Sequence, residues 1–172
     1  MVHPISLWLQ PEPAAVAELD ALIGRLAGVH GTAPFPAHLT LLNPLQRDDR
    51  LAAAALAELA AAVRPVAVRF DQTRCEAPWH RSLYLAAVPS AALRRIVEQA
   101  ARTFAAPAPA PFEPHLSLQY SDLSVAEKLR LAAGVELPLP LEVRFDRLSV
   151  WQTPGSDARR WRQVAEQSLP DR

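Results

Sequence analysis

The chain has 172 residues and a mass of 18.8 kDa, which bounds it to one compact domain or two closely packed lobes. Half of the residues are apolar and 21% are charged, and 18 basic side chains balance 18 acidic ones, which excludes the strong positive field of a non-specific nucleic-acid binder. One cysteine excludes an internal disulfide framework, and no apolar run approaches the roughly 20 residues of a membrane span.

In chain order, Ile5–Gln10 is a short, dense strand. Ala14–Leu26 carries Val16, Leu19, Leu22, Ile23 and Leu26 at helical spacing, with Pro13 in its first turn and Gly28 as its stop. Leu39–Leu42 is a strand entered through a proline-rich approach, Leu51–Val63 an alanine-rich helix, and Val66–Thr73 a third strand. The order then starts again. Ser82–Val88 is a strand, Ala91–Phe104 a helix and Leu116–Tyr120 a strand. Val125–Ala133 is a helix, with Ser124 as its N-cap and Glu127 completing a capping box, and Leu141–Gln152 is a strand. Trp161–Ser168 is a last strand, hairpinned back through Pro154-Gly155-Ser156-Asp157. The 17 prolines sit at element boundaries, and the longest run, Pro107 to Pro111, lies inside the second unit as a surface connection into its histidine-bearing strand.

The restart is a repeat. Ala33-Pro34-Phe35-Pro36-Ala37-His38-Leu39-Thr40-Leu41 returns as Ala110-Pro111-Phe112-Glu113-Pro114-His115-Leu116-Ser117-Leu118, an offset of 77 residues (38 to 115). Ser6-Leu7-Trp8-Leu9 returns as Ser82-Leu83-Tyr84-Leu85, offset 76, and Val68-Arg69-Phe70-Asp71 returns identically at Val143–Asp146, offset 75. Three collinear matches within two residues of one offset mark an ancient duplication. The expected fold class is α+β, a duplicated β-α-β-α-β unit. Unit one covers about 5–75, unit two about 81–152, and a C-terminal strand about 160–168.

The best-repeated segments each hold a histidine and, two positions on, a hydroxyl: His38 with Thr40, and His115 with Ser117. Residues i and i+2 of a strand share a face, so each motif sets an imidazole beside a hydroxyl while the flanking leucines turn to the core. Packing of the two units about a pseudo-twofold axis would bring both pairs to one cleft. That set suits in-line displacement at phosphorus, which needs a base on the nucleophile side and an acid on the leaving side. Histidine, with a pKa near ~6.5, serves as either. The hydroxyls can hydrogen-bond the non-bridging oxygens. No cofactor or metal is required, and no cysteine or histidine pair has the spacing of a structural zinc site. Packing alone would keep the leucines and Phe35/Phe112; it gives no reason to keep an imidazole and a hydroxyl twice.

His38-Leu39-Thr40-Leu41 and His115-Leu116-Ser117-Leu118 resemble the paired His-x-Thr/Ser motifs of the two-histidine phosphoesterase superfamily, which includes 2′-5′ RNA ligase-like proteins and cyclic phosphodiesterases. Ser6–Pro13 and Phe112–Leu123 look most like the cyclic nucleotide phosphodiesterase branch. The resemblance covers nearly the whole chain. It implies a single bilobal domain over 1–172, two antiparallel sheets around a central cleft with helices outside. It implies metal-independent hydrolysis of a small nucleotide-derived cyclic phosphate, either ADP-ribose 1″,2″-cyclic phosphate or a nucleoside 2′,3′-cyclic phosphate. The implied catalytic residues are His38 and His115, with His115 leaning to base and His38 to acid, and pseudo-symmetry leaves those roles exchangeable. Thr40, Ser117 and Tyr120 are the substrate-binding residues. Gln119 stands where an apolar residue is usual, and Ala37 replaces the proline that precedes His115.

The same residues serve the closest rival reading, a 2′-5′ RNA ligase or RNA-end phosphodiesterase, whose substrate would want a basic groove. A third reading is a non-catalytic nucleotide-binding module. Partners are then a small nucleotide-derived cyclic phosphate or an RNA end, with no membrane, and the expectation is a cytoplasmic monomer. Outside the motifs, Trp79 beside His80 and Arg81 could stack a base or pack a hairpin, and the Gly28–Thr32 loop could offer His30 or Thr32 or merely connect. His3, Cys75, Arg69 and Arg144 read as structural or solvated.

Overall fold

Helix ends follow their local chemistry. In the computed structural model, which describes residues 2–171, α1 (Pro13–His30) opens on proline and buries Leu19, Leu22, Ile23 and Ala27. It runs through Gly28 instead of stopping there, and ends at Gly31, whose left-handed φ of 63° lets its N–H reach the Ala27 carbonyl. An αL cap needs the freedom of glycine, and Gly31 is the glycine that adopts it; Gly28 is an ordinary helical residue. α2 (Asp49–Ala62) is capped by the Asp48 carboxylate, which accepts from the Arg50 N–H. Ser90 caps α3 (Ala91–Thr103), and the Ser124/Glu127 capping box opens α4 (Val125–Ala133).

Seven strands form one antiparallel sheet: β1 (Val2–Pro11), β2 (Leu39–Asp48), β3 (Val66–Arg74), β4 (Leu83–Ala87), β5 (His115–Gln119), β6 (Leu141–Gln152) and β7 (Arg162–Ser168). Their order is β1-β2-β5-β4-β3-β6-β7, and β1 also pairs with β6, so the first six strands close into a ring with β7 on its rim. The ring consists of two three-stranded sheets, β2-β1-β6 and β5-β4-β3. They meet at two seams. The β3–β6 seam has five residue pairs, whereas the β2–β5 seam has one, Leu39 with Leu116. Every pairing of the ring is preserved when β1, β2 and β3 are exchanged for β4, β5 and β6.

β2 continues well beyond Leu42. Leu7 pairs with Leu42 and Ile5 with Leu45, so Asn43 and Pro44 together oppose Ser6 in a bulge. A bulge tolerates a residue that cannot donate to the ladder, which lets the strand run through Pro44. A second irregularity sits between Leu7/Trp8 on β1, and its counterpart lies between Leu83/Tyr84 on β4. In both sheets the partner strand carries one extra leucine there, Leu41 or Leu118, beside the hydroxyl residue of its motif.

Leu39, Leu41, Leu116 and Leu118 are buried in one apolar cluster with the inner faces of the helices. The helices lie outside the ring: α1 against β1 and β5, α2 against β2, β6 and β7, α3 against β2 and β3, and α4 against β3 and β4. The opposite strand faces carry Trp8, Thr40, Tyr84 and Ser117. Among the described residues, no helix is long and apolar enough to cross a membrane.

Candidate active site

His38 sits one residue before β2 and His115 opens β5, so the thin seam between the two sheets carries both imidazoles. Each ring is fixed in the same way. Nδ1–H of His38 donates to the Pro36 carbonyl at 2.7 Å, and Nδ1–H of His115 donates to the Glu113 carbonyl at 2.9 Å. A carbonyl can only accept, so both rings carry their proton on Nδ1 and leave Nε2 for chemistry. The hydroxyl residues face aromatic neighbours across the strands. Trp8 pairs with Thr40 and Tyr84 with Ser117, and opposed residues of an antiparallel pair share a face.

What lies against each ring differs. The Trp8 indole stacks flat on His38, with centroids 3.6 Å apart and planes within 10°, and Trp151 stacks on the far side of Trp8 at 4.7 Å. Ser6 Oγ accepts from Trp8 Nε1–H at 2.6 Å, and Ser149 Oγ holds Trp151 in the same way at 3.0 Å. His115 meets Tyr84 edge-on at 5.1 Å inside a charged frame. Arg81 donates to Glu113 Oε2 and pairs with Glu76 Oε1, each at 2.7 Å, and donates to the Tyr84 hydroxyl at 3.1 Å. Tyr84 in turn donates to Glu76 at 2.5 Å. Lys128, itself buried, donates to the carbonyls of Glu76 and Ala77, pinning the connection that carries Arg81.

Burial is the main force on both imidazole pKa values. It lowers His38 to about 4, against a smaller upward pull from the Pro36 carbonyl, with the nearby His115 lowering it further. His115 is lowered too, first by burial, with Arg81 and His80 adding to that and the Glu113 carbonyl and Glu76 opposing it. Both rings are therefore neutral in the free protein at neutral pH. Burial also pushes the Tyr120 phenol up to about 12, and Ser117 shares a hydrogen bond with it.

A cavity of about 570 Å³ is lined by Thr40, His115, Tyr120, Arg81 and the proline-rich wall of residues 106–111. His38 and Ser117 are buried and do not line it. All five sequence-predicted residues thus lie around one seam. His80 lines this cavity and Trp79 stacks on Tyr120 at 4.7 Å, while His30 and Thr32 border a neighbouring cavity. Gln119 is buried, with Nε2 donating to the Leu26 carbonyl at 3.4 Å. Trp8, Tyr84 and the Arg81 frame escaped the sequence reading as parts of the site. For the first two a signal exists: the Ser-Leu-Trp-Leu/Ser-Leu-Tyr-Leu repeat places an aromatic at equivalent positions. Among the described residues, no group of three or more His, Cys, Asp or Glu is placed to hold a metal ion.

Residues 8–157 match the 2′-5′ RNA ligase superfamily. The chain belongs to this family of two-histidine phosphoesterases. Its fold matches E. coli LigT, solved with 3′-AMP, at TM-score 0.61 and 18% identity over 98% of this chain and 99% of that one. The TT0787 protein of Thermus thermophilus matches at TM-score 0.63 and 16% identity, over 96% and 97% of the two chains. No curated protein matches. The superfamily supports activity on phosphodiester-related bonds.

Proposed function

We propose that the protein is a metal-independent cyclic phosphodiesterase that opens a small nucleotide-derived cyclic phosphate, ADP-ribose 1″,2″-cyclic phosphate or a nucleoside 2′,3′-cyclic phosphate. The observation that carries this is the matched presentation of the imidazoles, each with Nδ1–H held by a carbonyl and a hydroxyl residue two positions on. One Nε2 takes a proton from water as its oxygen bonds to phosphorus. The other imidazole, charged, gives a proton to the ribose oxygen as the P–O bond breaks. Thr40 and Ser117 hydrogen-bond the non-bridging oxygens, and Tyr120 borders the substrate. Because burial keeps both rings neutral alone, the acid's proton is favoured only when the anionic phosphate arrives beside it. The nucleotides held by E. coli LigT, namely 3′-AMP, ATP and NADP+, support a ligand of this class.

Turnover of a 2′,3′-cyclic mononucleotide in the presence of a strong chelator tests the reading. Activity is expected to survive. Loss in chelator with recovery on adding a divalent ion would place the protein in a metal-dependent class.

A further inference from the structure

The two motifs differ by one backbone hydrogen beside the imidazole. Ala37 precedes His38, whereas Pro114 precedes His115. Each ring's Nδ1–H is held by the carbonyl of the peptide that joins the two residues before it. In the first motif that peptide has an N–H, on Ala37; in the second, proline has removed it. The N–H is used. Asp20 Oδ1 accepts it at 2.7 Å, reaching over from α1. Asp20 and His38 are therefore joined through one peptide group: the carboxylate takes its N–H and the imidazole donates to its C=O. Hydrogen bonds in such a chain polarise one another, so a carboxylate on the N–H makes the C=O a stronger acceptor. The Nδ1–H bond is 2.7 Å at His38 and 2.9 Å at His115, the order this polarisation requires.

Asp20 is half-buried on the inner face of α1, one turn before Ile23 and two before Ala27. Burial pushes its carboxyl up, while the Ala37 N–H and Arg147, facing it from β6, favour the charged form. It does not line the histidine cavity, so it acts on substrate only through another group. His38 itself faces Trp8, Phe35 and His115, which bring it no negative charge.

We propose that Asp20 is a positioning residue for catalysis, which orients His38 and raises the basicity of its Nε2 through the Pro36–Ala37 peptide. This rests on the phosphodiesterase reading above. It makes the two rings unequal, because only the peptide behind His38 carries a carboxylate on its N–H. The link offsets part of the burial that disfavours a charged His38.

The test reads the Nδ1–H proton of each ring by NMR on histidine-labelled protein, since a stronger hydrogen bond moves that signal downfield. His38→Gln assigns the His38 signal, and His115 is the internal control. Asp20→Asn keeps an oxygen that can accept from Ala37 and removes the charge. It should move the His38 signal upfield and leave the His115 signal in place. It should also lower kcat on 2′,3′-cyclic AMP by roughly tenfold, with KM within about twofold. One peptide intervenes, so the loss falls far short of the ~10⁴-fold seen when a carboxylate bonded directly to a catalytic imidazole is neutralised. Ala37→Pro keeps the charge and removes the N–H, as Pro114 does in the other motif, and should move the His38 signal the same way. Should Ala37→Pro not fold, Asp20→Asn decides alone. An unmoved His38 signal or wild-type kcat in Asp20→Asn shows that Asp20 merely pins the approach to β2, and overturns the proposal. So does equal movement of both rings, or a His38 signal that folded Ala37→Pro leaves in place. A wild type that hydrolyses no cyclic phosphate removes the phosphodiesterase reading, while the His38 signal still decides the link to Asp20.

Discussion

His38 and His115 spend the same nitrogen, Nδ1, on the same kind of partner, a carbonyl two residues back, which leaves the same nitrogen, Nε2, as the acid or base of each ring. Removing either imbalances a paired proton transfer. His38→Ala and His115→Ala should each cut turnover by roughly 10²–10⁴-fold, and the double variant should lose far less than the product, since both act in one displacement. Thr40→Ala and Ser117→Ala should cost less and weaken phosphate binding as well as rate. Steady-state kinetics on a cyclic mononucleotide checks all five variants; near wild-type turnover in either histidine variant removes the two-histidine mechanism. The pH profile follows from the same burial. Catalysis needs one charged and one neutral ring, and both are lowered in the free protein, so kcat/KM should peak below the ordinary histidine value of about 6.5. An anionic substrate raises both values in the complex, so the kcat peak should lie at higher pH than the kcat/KM peak. Coincident peaks would mean that substrate leaves the imidazoles unperturbed.

Between residue and fold lie the elements that hold each ring. The Trp8 stack is rigid and apolar, whereas the His115 side depends on the loop between β3 and β4, because Arg81 must bridge Glu76 and Glu113. The two Arg81 contacts use different nitrogens of one planar fork, which an ammonium cannot reproduce. Arg81→Met and Arg81→Lys should both lower kcat by roughly 10–100-fold, as small misplacements of a catalytic group do. Full activity in the lysine variant would show that charge, not fork geometry, is what His115 needs. The sequence made the two motifs legible because duplication preserved chemistry that packing does not require. It also held the Trp8/Tyr84 correspondence. Arg81 was not legible as a frame, since its value arises only when Glu76 and Glu113, far apart in the chain, arrive on either side of it. Gly28 misled as a helix stop because either glycine could end the helix, and only backbone conformation distinguishes Gly31.

On the scale of the whole molecule, the strand segments and their order were readable from apolar pattern and repeat. The closed ring was not, because β1–β6 and β3–β4 pairing carries each unit's strands into the other's sheet, and local sequence does not encode partners. The buried site has a stability consequence. Above pH 6.5 His38 is neutral folded and unfolded. Below that the unfolded chain takes up a proton that the folded protein refuses until about pH 4, so stability falls as pH falls across this window. The His38 share is at most about 3 kcal/mol, a large part of the roughly 5–15 kcal/mol of a typical domain. Urea unfolding at pH 7.5 and pH 4.5 should show the loss, and His38→Gln should reduce it; an identical loss in the variant would assign it to other groups.

Lys128 is the chain's single lysine, and it is buried on the carbonyls of Glu76 and Ala77. The molecule therefore carries one internal cleavage point for a lysine-specific protease and one side-chain amine for acylating dyes, both shut away while α4 stays docked. Cutting or labelling at that one position becomes a clock for the opening of α4 from the loop behind His115. Anything that slows the clock, a bound nucleotide included, reports its grip on that half of the cleft without any catalytic assay.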